Sequence, residues 1–317
     1  MESSATTSSK INLPQGTRIT GRWNGGRYVI QRLLGQGANG VVFLVKREKN
    51  GKLYALKLGF DTLDIQSEIN VLKALQRQGR RRGAAERDLN YLVEVDDFTY
   101  QGREIPFYVM RYVQGEPLRA FLARRGPRWL DVVGLQLLQQ LGRLHTSGWV
   151  FGDLKPENVL AGSYGDVELI DYGGVTGEGR SVKQFTEWYD RGFWGAGSRT
   201  ADPAYDWFSF AVVCIHLLAE APLKKAATQL PQTRSRSDLI AIVDGNEALA
   251  PYRAWLKRAL NGEFRDTAEA CRLWKELVAD RFAPRRRTRP ATPGWIVGAF
   301  AVSLTLLACA LYLTLRF

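Results

Sequence analysis

Residues 294–315, GWIVGAFAVSLTLLACALYLTL, contain no charged side chain, and this run limits what the C-terminal end of the chain can become. At about 1.5 Å per residue, a helix of that length matches a hydrocarbon core of roughly 30 Å, where a helix satisfies its own backbone hydrogen bonds. A buried core helix is the alternative reading. It is the weaker one, because the run has no polar face and the basic stretch PRRRTRP precedes it. We read a single transmembrane helix. Arg285, Arg286, Arg287 and Arg289 are expected to stay on the cytoplasmic side, beside anionic lipid. Only Arg316 and Phe317 follow the run, so the folded part is expected in the cytoplasm, tied to the cell membrane by a C-terminal single-pass anchor. The opening stretch MESSATTSSK has no apolar core and does not read as a secretory signal.

What precedes the span is long enough to bury a large core, and the chain as a whole is 45% hydrophobic. Lys+Arg exceeds Asp+Glu by 44 to 32, a formal charge of +12 that favours an anionic partner such as a phosphate-rich ligand or an acidic membrane surface. The arginines beside the span suit lipid, and QGRRRGAAER reads as a solvated basic loop, so nucleic acid is not expected as a partner. Cys214, Cys271 and Cys309 are odd in number and far apart, which argues against a disulfide framework or a zinc site and for a reducing compartment. With only His145 and His216 present, metal cages and most histidine acid–base schemes lose support.

Two textures divide the chain before the span. From about residue 27 to 110 it reads as short β-runs, RYVIQRLLG, VVFLVKRE, KLYALKLG, YLVEVDDFTY and IPFYVM, separated by Gly, Asn and Asp turns. One helix interrupts them: SEINVLKALQRQ, residues 67–78, places Ile69, Leu72 and Leu75 on one face and opens on Ser67 as a cap. After Gly115 the texture is helical. A β-rich part followed by a helical part predicts an α+β fold with a cleft between two lobes. The expected layout is a polar N-terminal tail over residues 1–26, a β-rich lobe over 27–112, a helical lobe over 113–280, a basic linker over 281–293 and the span over 294–315.

The residues that carry chemistry occur in a fixed order. GQGANGVV supplies Gly35, Gly37, Gly40 and Val42 between two predicted strands, where the absence of Cβ atoms lets backbone N–H groups approach an anion. Such a hairpin also occurs with no ligand. YALKL then sets Lys57 among apolar neighbours, where an ammonium needs an anionic partner, and Glu68 in the following helix is the candidate. In WVFGDLKPENVL, Asp153 is placed to accept or align the proton of an attacking hydroxyl, Lys155 to neutralise a transferring phosphoryl group, and Asn158 to offer an uncharged oxygen to a metal ion. VELIDYGG ends an apolar strand on Asp171, suited to holding Mg²⁺ that bridges phosphates. Each piece alone also suits a turn or a cap. Their shared order argues for a site.

That ordered set resembles the eukaryotic-like (Hanks-type) serine/threonine protein kinases over residues 27–280. The matching motifs are Gly-x-Gly-x-x-Gly-x-Val at 35–42, Ala-x-Lys at 55–57, the catalytic loop at 153–158 and Asp-Tyr-Gly at 171–173. The resemblance implies a bilobal kinase fold that uses ATP and Mg²⁺ on protein substrates. It implies that Lys57 contacts the α/β-phosphates, that Glu68 pairs with Lys57, and that Asp153 is the catalytic base. Lys155 would meet the γ-phosphate, and Asn158 and Asp171 would bind Mg²⁺. Met110 would be the gatekeeper, Tyr112 and Val113 would bond adenine through their backbone, and Val42, Ala55 and Leu160 would enclose it. Asp206 would brace the catalytic loop, and Arg265 stands in the usual place of a C-lobe arginine.

The chain departs from that pattern in places. Phe151-Gly152 replaces His-Arg before Asp153, removing the arginine that would read a phosphate on the activation segment. Phe151 is expected to fill an apolar spine beneath Tyr172 instead, and His145 to pack a helix. No Ala-Pro-Glu is present. Thr176, Ser181 and Thr186 follow Asp171 and are candidate autophosphorylation sites. A pseudokinase scaffold is one alternative function. A small-molecule kinase of the aminoglycoside/choline phosphotransferase type is another, disfavoured by Lys155 and the intact glycine loop.

Overall fold

The computed structural model describes residues 11, 13–37, 40–81, 91–183, 185–282 and 294–316. The alternating runs become β1 (Arg18–Thr20), β2 (Arg27–Gly37), β3 (Gly40–Arg47), β4 (Leu53–Gly59), β5 (Leu92–Tyr100) and β6 (Arg103–Arg111). They form one antiparallel sheet in the order β1-β2-β3-β4-β6-β5. Side-chain alternation divides its residues between two faces. One face is an apolar layer that includes Tyr28, Ile30, Phe43, Val45, Leu56 and Val109. The other carries Val42, Ala55, Lys57, Tyr108 and Met110, because Val42 lies opposite Lys57, Lys57 opposite Tyr108, and Ala55 opposite Met110.

The apolar face corrects the expected polar tail over residues 1–26. Ile11, Leu13 and Ile19 join that layer, and β1 pairs with β2 in the register Arg18↔Val29. A sheet with one cleft-facing side must bury its other side, and this segment supplies the cover.

The helix of the β-rich lobe, α1 (Thr62–Arg81), begins earlier than the Ser67 cap predicted. Asp61 Oδ1 accepts the N–H groups of Leu63 and Asp64 at 2.7 and 3.0 Å, so Asp61 caps the helix. Ile65, Ile69 and Leu72 bury its inner stripe, and Glu68 is buried with them. Because β4 ends at Gly59, only Phe60 and Asp61 separate strand from helix.

The helical lobe contains α2 (Leu118–Arg125), α3 (Leu130–His145), α4 (Pro203–Leu218), α5 (Glu220–Ala227), α6 (Arg236–Gly245), α7 (Arg253–Asn261) and α8 (Thr267–Phe282). α4 is buried throughout residues 205–216, as a helix apolar on all sides must be. Phe210 of α4 packs edge-on against Trp255 and Trp274 with ring centroids 5.1 and 5.2 Å away. Three short strands, β7 (Glu116–Pro117), β9 (Val159–Ala161) and β10 (Val167–Leu169), pair in the order β10-β9-β7. β8 (Trp149–Val150) pairs with β11 (Thr176–Gly177).

Among the described residues, α9 (Gly294–Arg316) is the one unbroken helix long and apolar enough to cross a membrane. Residues 298–315 have a mean hydropathy of 2.0, and none of that window is buried. Arg285, Arg286, Arg287 and Arg289 lie outside the described residues.

Candidate active site

Lys57 is the buried junction of the site. Its Nζ lies 2.7 Å from Glu68 Oε2 and 3.0 Å from Asp171 Oδ1. The short β4–α1 connection explains the first contact: α1 starts at Thr62, so Glu68 arrives two turns along the helix, over the face of β4 that carries Lys57. Burial alone would lower the lysine pKa, but Glu68 and Asp171 outweigh it and hold the ammonium protonated. Burial pushes the Glu68 carboxyl up, and Lys57 opposes that rise. Asp171 moves the other way. Its burial is outweighed by Lys57 and by the Gly173 N–H, so its carboxyl stays below the usual range. Tyr108, opposite Lys57 in the sheet, remains a protonated phenol because burial and the neighbouring Glu68 both resist ionisation.

Asp171 follows β10 and adopts φ +60°, the left-handed region, where its side chain accepts the Gly173 N–H at 3.4 Å. An aspartate tolerates that backbone better than most residues, and non-glycine residues held there cluster at functional sites. The turn directs one carboxylate oxygen at Lys57, while the side chain is 49% exposed.

The loop between β8 and β9 gathers the next group. Asp153 Oδ2 receives Lys155 Nζ at 2.7 Å and Asn158 Nδ2 at 3.1 Å. Asn158 Nδ2 also donates to the Asp153 carbonyl at 2.8 Å, which leaves the Asn158 amide oxygen for another partner. Asp153 Oδ1 accepts the Thr186 hydroxyl at 2.9 Å, and Thr186 in turn accepts from Lys155 at 3.0 Å. Nothing in the spacing of the sequence joins Thr186 to this group.

Asp206 of α4 braces the loop from below, as expected. It accepts the backbone N–H groups of Phe151 at 2.7 Å and Gly152 at 2.9 Å. The His145 ring lies 2.9 Å from Asp206 through Nε2 and 2.6 Å from Thr267 Oγ1 through Nδ1. A carboxylate only accepts, so Nε2 carries the proton and His145 is a packing residue. Phe151 meets Tyr172 edge-on at 6.1 Å, the apolar spine expected for it. Gly152 has φ +79°, and a Cβ there would lie 2.8 Å from the Gly174 carbonyl oxygen.

The remaining candidates line the sheet and the link between lobes. Gly35 and Gly37 sit at the tip of the β2–β3 hairpin with open space where side chains would stand. Gly40 differs, because a Cβ there would strike the Leu58 carbonyl oxygen at 2.3 Å. Val42, Ala55 and Met110 share the Lys57 face, Tyr112 and Val113 follow β6, and Leu160 lies in β9. A polar cavity of about 620 Å³ beyond this link is lined by Arg111, Val113, Arg143, Leu160 and Glu168 among others, and does not reach Lys57, Asp153 or Asp171.

These residues fit a nucleotide with Mg²⁺. Among the described residues no cluster of three or more His, Cys, Asp or Glu is arranged to hold a metal. Asn158 and Asp171 instead offer one amide and one carboxylate oxygen, the sparse protein share typical of Mg²⁺ shared with phosphates.

Arg265 is 82% exposed and bonds its neighbour Asp266 at 3.1 Å. The segment leading to α4 is braced elsewhere. Arg191 makes a two-pronged pair with Asp202 at 2.9 and 2.7 Å, and buried Asp190 accepts from Tyr205 at 2.9 Å and from Arg199 at 2.8 Å. Of the candidate phosphorylation sites, Thr176 is buried and bonded to the Gly174 carbonyl, and Ser181 is exposed.

The protein kinase domain family matches residues 28–286. The chain is 38% identical over 299 residues to the serine/threonine-protein kinase YabT of Bacillus subtilis (strain 168), covering 92% of this chain and 83% of that one. It is 28% identical over 223 residues to serine/threonine-protein kinase F of Synechocystis sp., covering 61% of this chain and 44% of that one. The structure of vaccinia related kinase 3 superposes with a TM-score of 0.64 at 17% identity, covering 87% of this chain and 94% of that one, a likeness of fold. By the extent of the domain match and the identity to a bacterial relative, the chain belongs to the protein kinase family and is a Hanks-type serine/threonine protein kinase.

Proposed function

We propose that the chain transfers the ATP γ-phosphate to Ser or Thr hydroxyls of protein substrates at the cytoplasmic face of a membrane that α9 crosses. The observation that carries the reading is Lys57 held between Glu68 and Asp171 at 2.7 and 3.0 Å. That arrangement supplies a fixed cation beside a half-exposed carboxylate, and Asp153 with its Lys155 and Thr186 partners supplies a second polar group. When bound, ATP would supply the phosphoryl group, and Mg²⁺ would offset the charge of its phosphates.

Lys57 binds the α/β-phosphates, and Glu68 keeps Lys57 aimed at them. Asn158 and Asp171 would hold the ion. Val42, Ala55 and Leu160 enclose adenine below Met110, with backbone bonds from Tyr112 and Val113 and the loop of Gly35, Gly37 and Gly40 over the phosphates. Asp153 aligns the incoming hydroxyl and takes its proton, while Lys155 offsets charge on the transferred group. Arg285, Arg286, Arg287 and Arg289 add attraction to anionic lipid, about 1 kcal/mol each near the surface.

Nucleotide binding is tested on the full chain in detergent micelles. ATP at about 100 times its Kd with Mg²⁺ is expected to stabilise it by roughly 2.7 kcal/mol, and Asp171→Asn to remove most of the Mg²⁺-dependent part. No stabilisation would overturn the reading. Anchoring is tested by alkaline extraction of membranes: the full chain stays with lipid, and a chain ending at residue 293 is released.

A further inference from the structure

The Lys57 junction contains a buried oxygen with an unmet need. Glu68 is 4% exposed; its Oε2 receives Lys57 Nζ at 2.7 Å, while its Oε1 is buried with no aligned hydrogen bond. A carboxylate has lone pairs on both oxygens, and one served on a single side is costly to hold out of water. Asp171, the other acid at Lys57, is acceptor-only and cannot serve it.

Tyr108 stands beside that carboxylate. Because β6 alternates, Phe107 and Val109 enter the apolar outer layer, and Tyr108 falls on the opposite face, level with Lys57 in the register Lys57↔Tyr108. It is 1% exposed. Its hydroxyl adjoins Glu68 and favours the ionised carboxylate, as a donor does, although it is not aligned on Oε1 in this conformation. Burial and Glu68 both keep the phenol protonated, so it has a hydrogen to give. Packing alone does not call for that hydroxyl, since a phenylalanine ring fills the same space and a buried phenol needs a partner. The Tyr172 phenol, also close to Tyr108, is taken by Tyr91.

We propose that Tyr108 is a positioning residue for nucleotide binding: its hydroxyl serves Glu68 Oε1, fixes that carboxylate from within the sheet, and so keeps Lys57 aimed at the α/β-phosphates of ATP. The bond ties β6 to α1 with no covalent modification. That suits a chain with Gly152 in place of the arginine that would read a phosphate on the activation segment. The inference rests on the assignment of Lys57 to the phosphates, and its effect is selective. Adenosine, which offers Lys57 no phosphate, is indifferent to the Tyr108 hydroxyl.

The test uses the full chain in detergent micelles and isothermal titration with ATP–Mg²⁺ and, separately, with adenosine. Tyr108→Phe keeps the ring and removes the donor. ATP affinity is expected to fall about tenfold, the scale of one hydrogen bond to a charged group, while adenosine affinity stays within about twofold. In a Glu68→Ala background the partner is gone, so adding Tyr108→Phe should change ATP affinity by less than about twofold. An unchanged ATP affinity in Tyr108→Phe, an equal loss for ATP and adenosine, or the same tenfold loss in the Glu68→Ala background would each overturn the assignment of Tyr108. If the native chain bound neither ligand, the nucleotide reading and this inference would fall together. A selective loss of ATP affinity in a chain that transfers no phosphate would leave Tyr108 assigned and sink the kinase reading.

Discussion

The Thr186 hydroxyl bridges the catalytic loop, donating to Asp153 Oδ1 at 2.9 Å and accepting from Lys155 Nζ at 3.0 Å. One side chain from the segment after Asp171 therefore fixes the rotamers of both Asp153, assigned to the incoming hydroxyl, and Lys155, assigned to the transferred group. That segment is tied in turn to the start of α4 through Asp190 with Tyr205 and Arg191 with Asp202.

Thr186→Ala leaves Asp153 and Lys155 paired but free to reorient. A hydrogen bond to a charged group contributes about 1.5–3 kcal/mol, so kcat is expected to fall roughly 10- to 100-fold with little change in KM for ATP. Thr186→Ser should recover most of the loss. Steady-state kinetics on the full chain checks both.

Gly152 stands where the family pattern has an arginine; its backbone adopts φ +79°, and a Cβ there would lie only 2.8 Å from the Gly174 carbonyl oxygen. Gly152→Ala is expected to cost about 1–3 kcal/mol of stability and to lower activity by shifting Asp153. Gly152→Arg should behave no better, so the phosphate reader is not restored by one substitution. Thermal melts of the two variants, compared at equal detergent concentration, provide the check.

Asp206 accepts three donors, the N–H groups of Phe151 and Gly152 and His145 Nε2. Asp206→Asn turns one acceptor into a donor facing them. A loss of about 3 kcal/mol is expected, the cost of leaving buried partners unmatched. Denaturant unfolding should show it as a lower midpoint at constant slope.

Asp96 gives the β-rich lobe a predictable acid response. Burial alone would raise its pKa, but the N–H groups of Trp23, Asn24 and Asp97 at 2.7–2.8 Å outweigh burial and hold the carboxyl below the usual range. The unfolded chain, with a pKa of about 3.9, then binds that proton more tightly than the folded one. The contribution is complete above about pH 4 and is lost as pH falls through the lower folded value. Asp96→Asn should cost about 1–2 kcal/mol at neutral pH and flatten the fall of Tm on acidification. Melting curves across the acid range test this.

Much of the site was legible because its parts are local. Asp153, Lys155 and Asn158 lie in one loop, Asp171 ends a short strand, and Lys57 stands in a strand whose alternation is plain. Glu68 was legible as a candidate, but its contact depends on where α1 begins, and the sequence placed that start at Ser67 whereas Asp61, two residues after β4, caps the helix. Ile11, Leu13 and Ile19 are too sparse to show a period, so the cover of the outer sheet face passed as a tail. Thr186, Asp190, Arg191 and Asp202 meet their partners across irregular backbone, where no spacing rule applies.

The central claim is phosphoryl transfer through Asp153 and Asp171. The full chain in micelles is given labelled ATP, Mg²⁺ and a general protein substrate beside Asp153→Asn and Asp171→Asn. Label is expected on Ser or Thr of the substrate with the native chain and at least about 100-fold less with either variant. Equal labelling by all three, or none by the native chain while nucleotide still binds, would contradict the account.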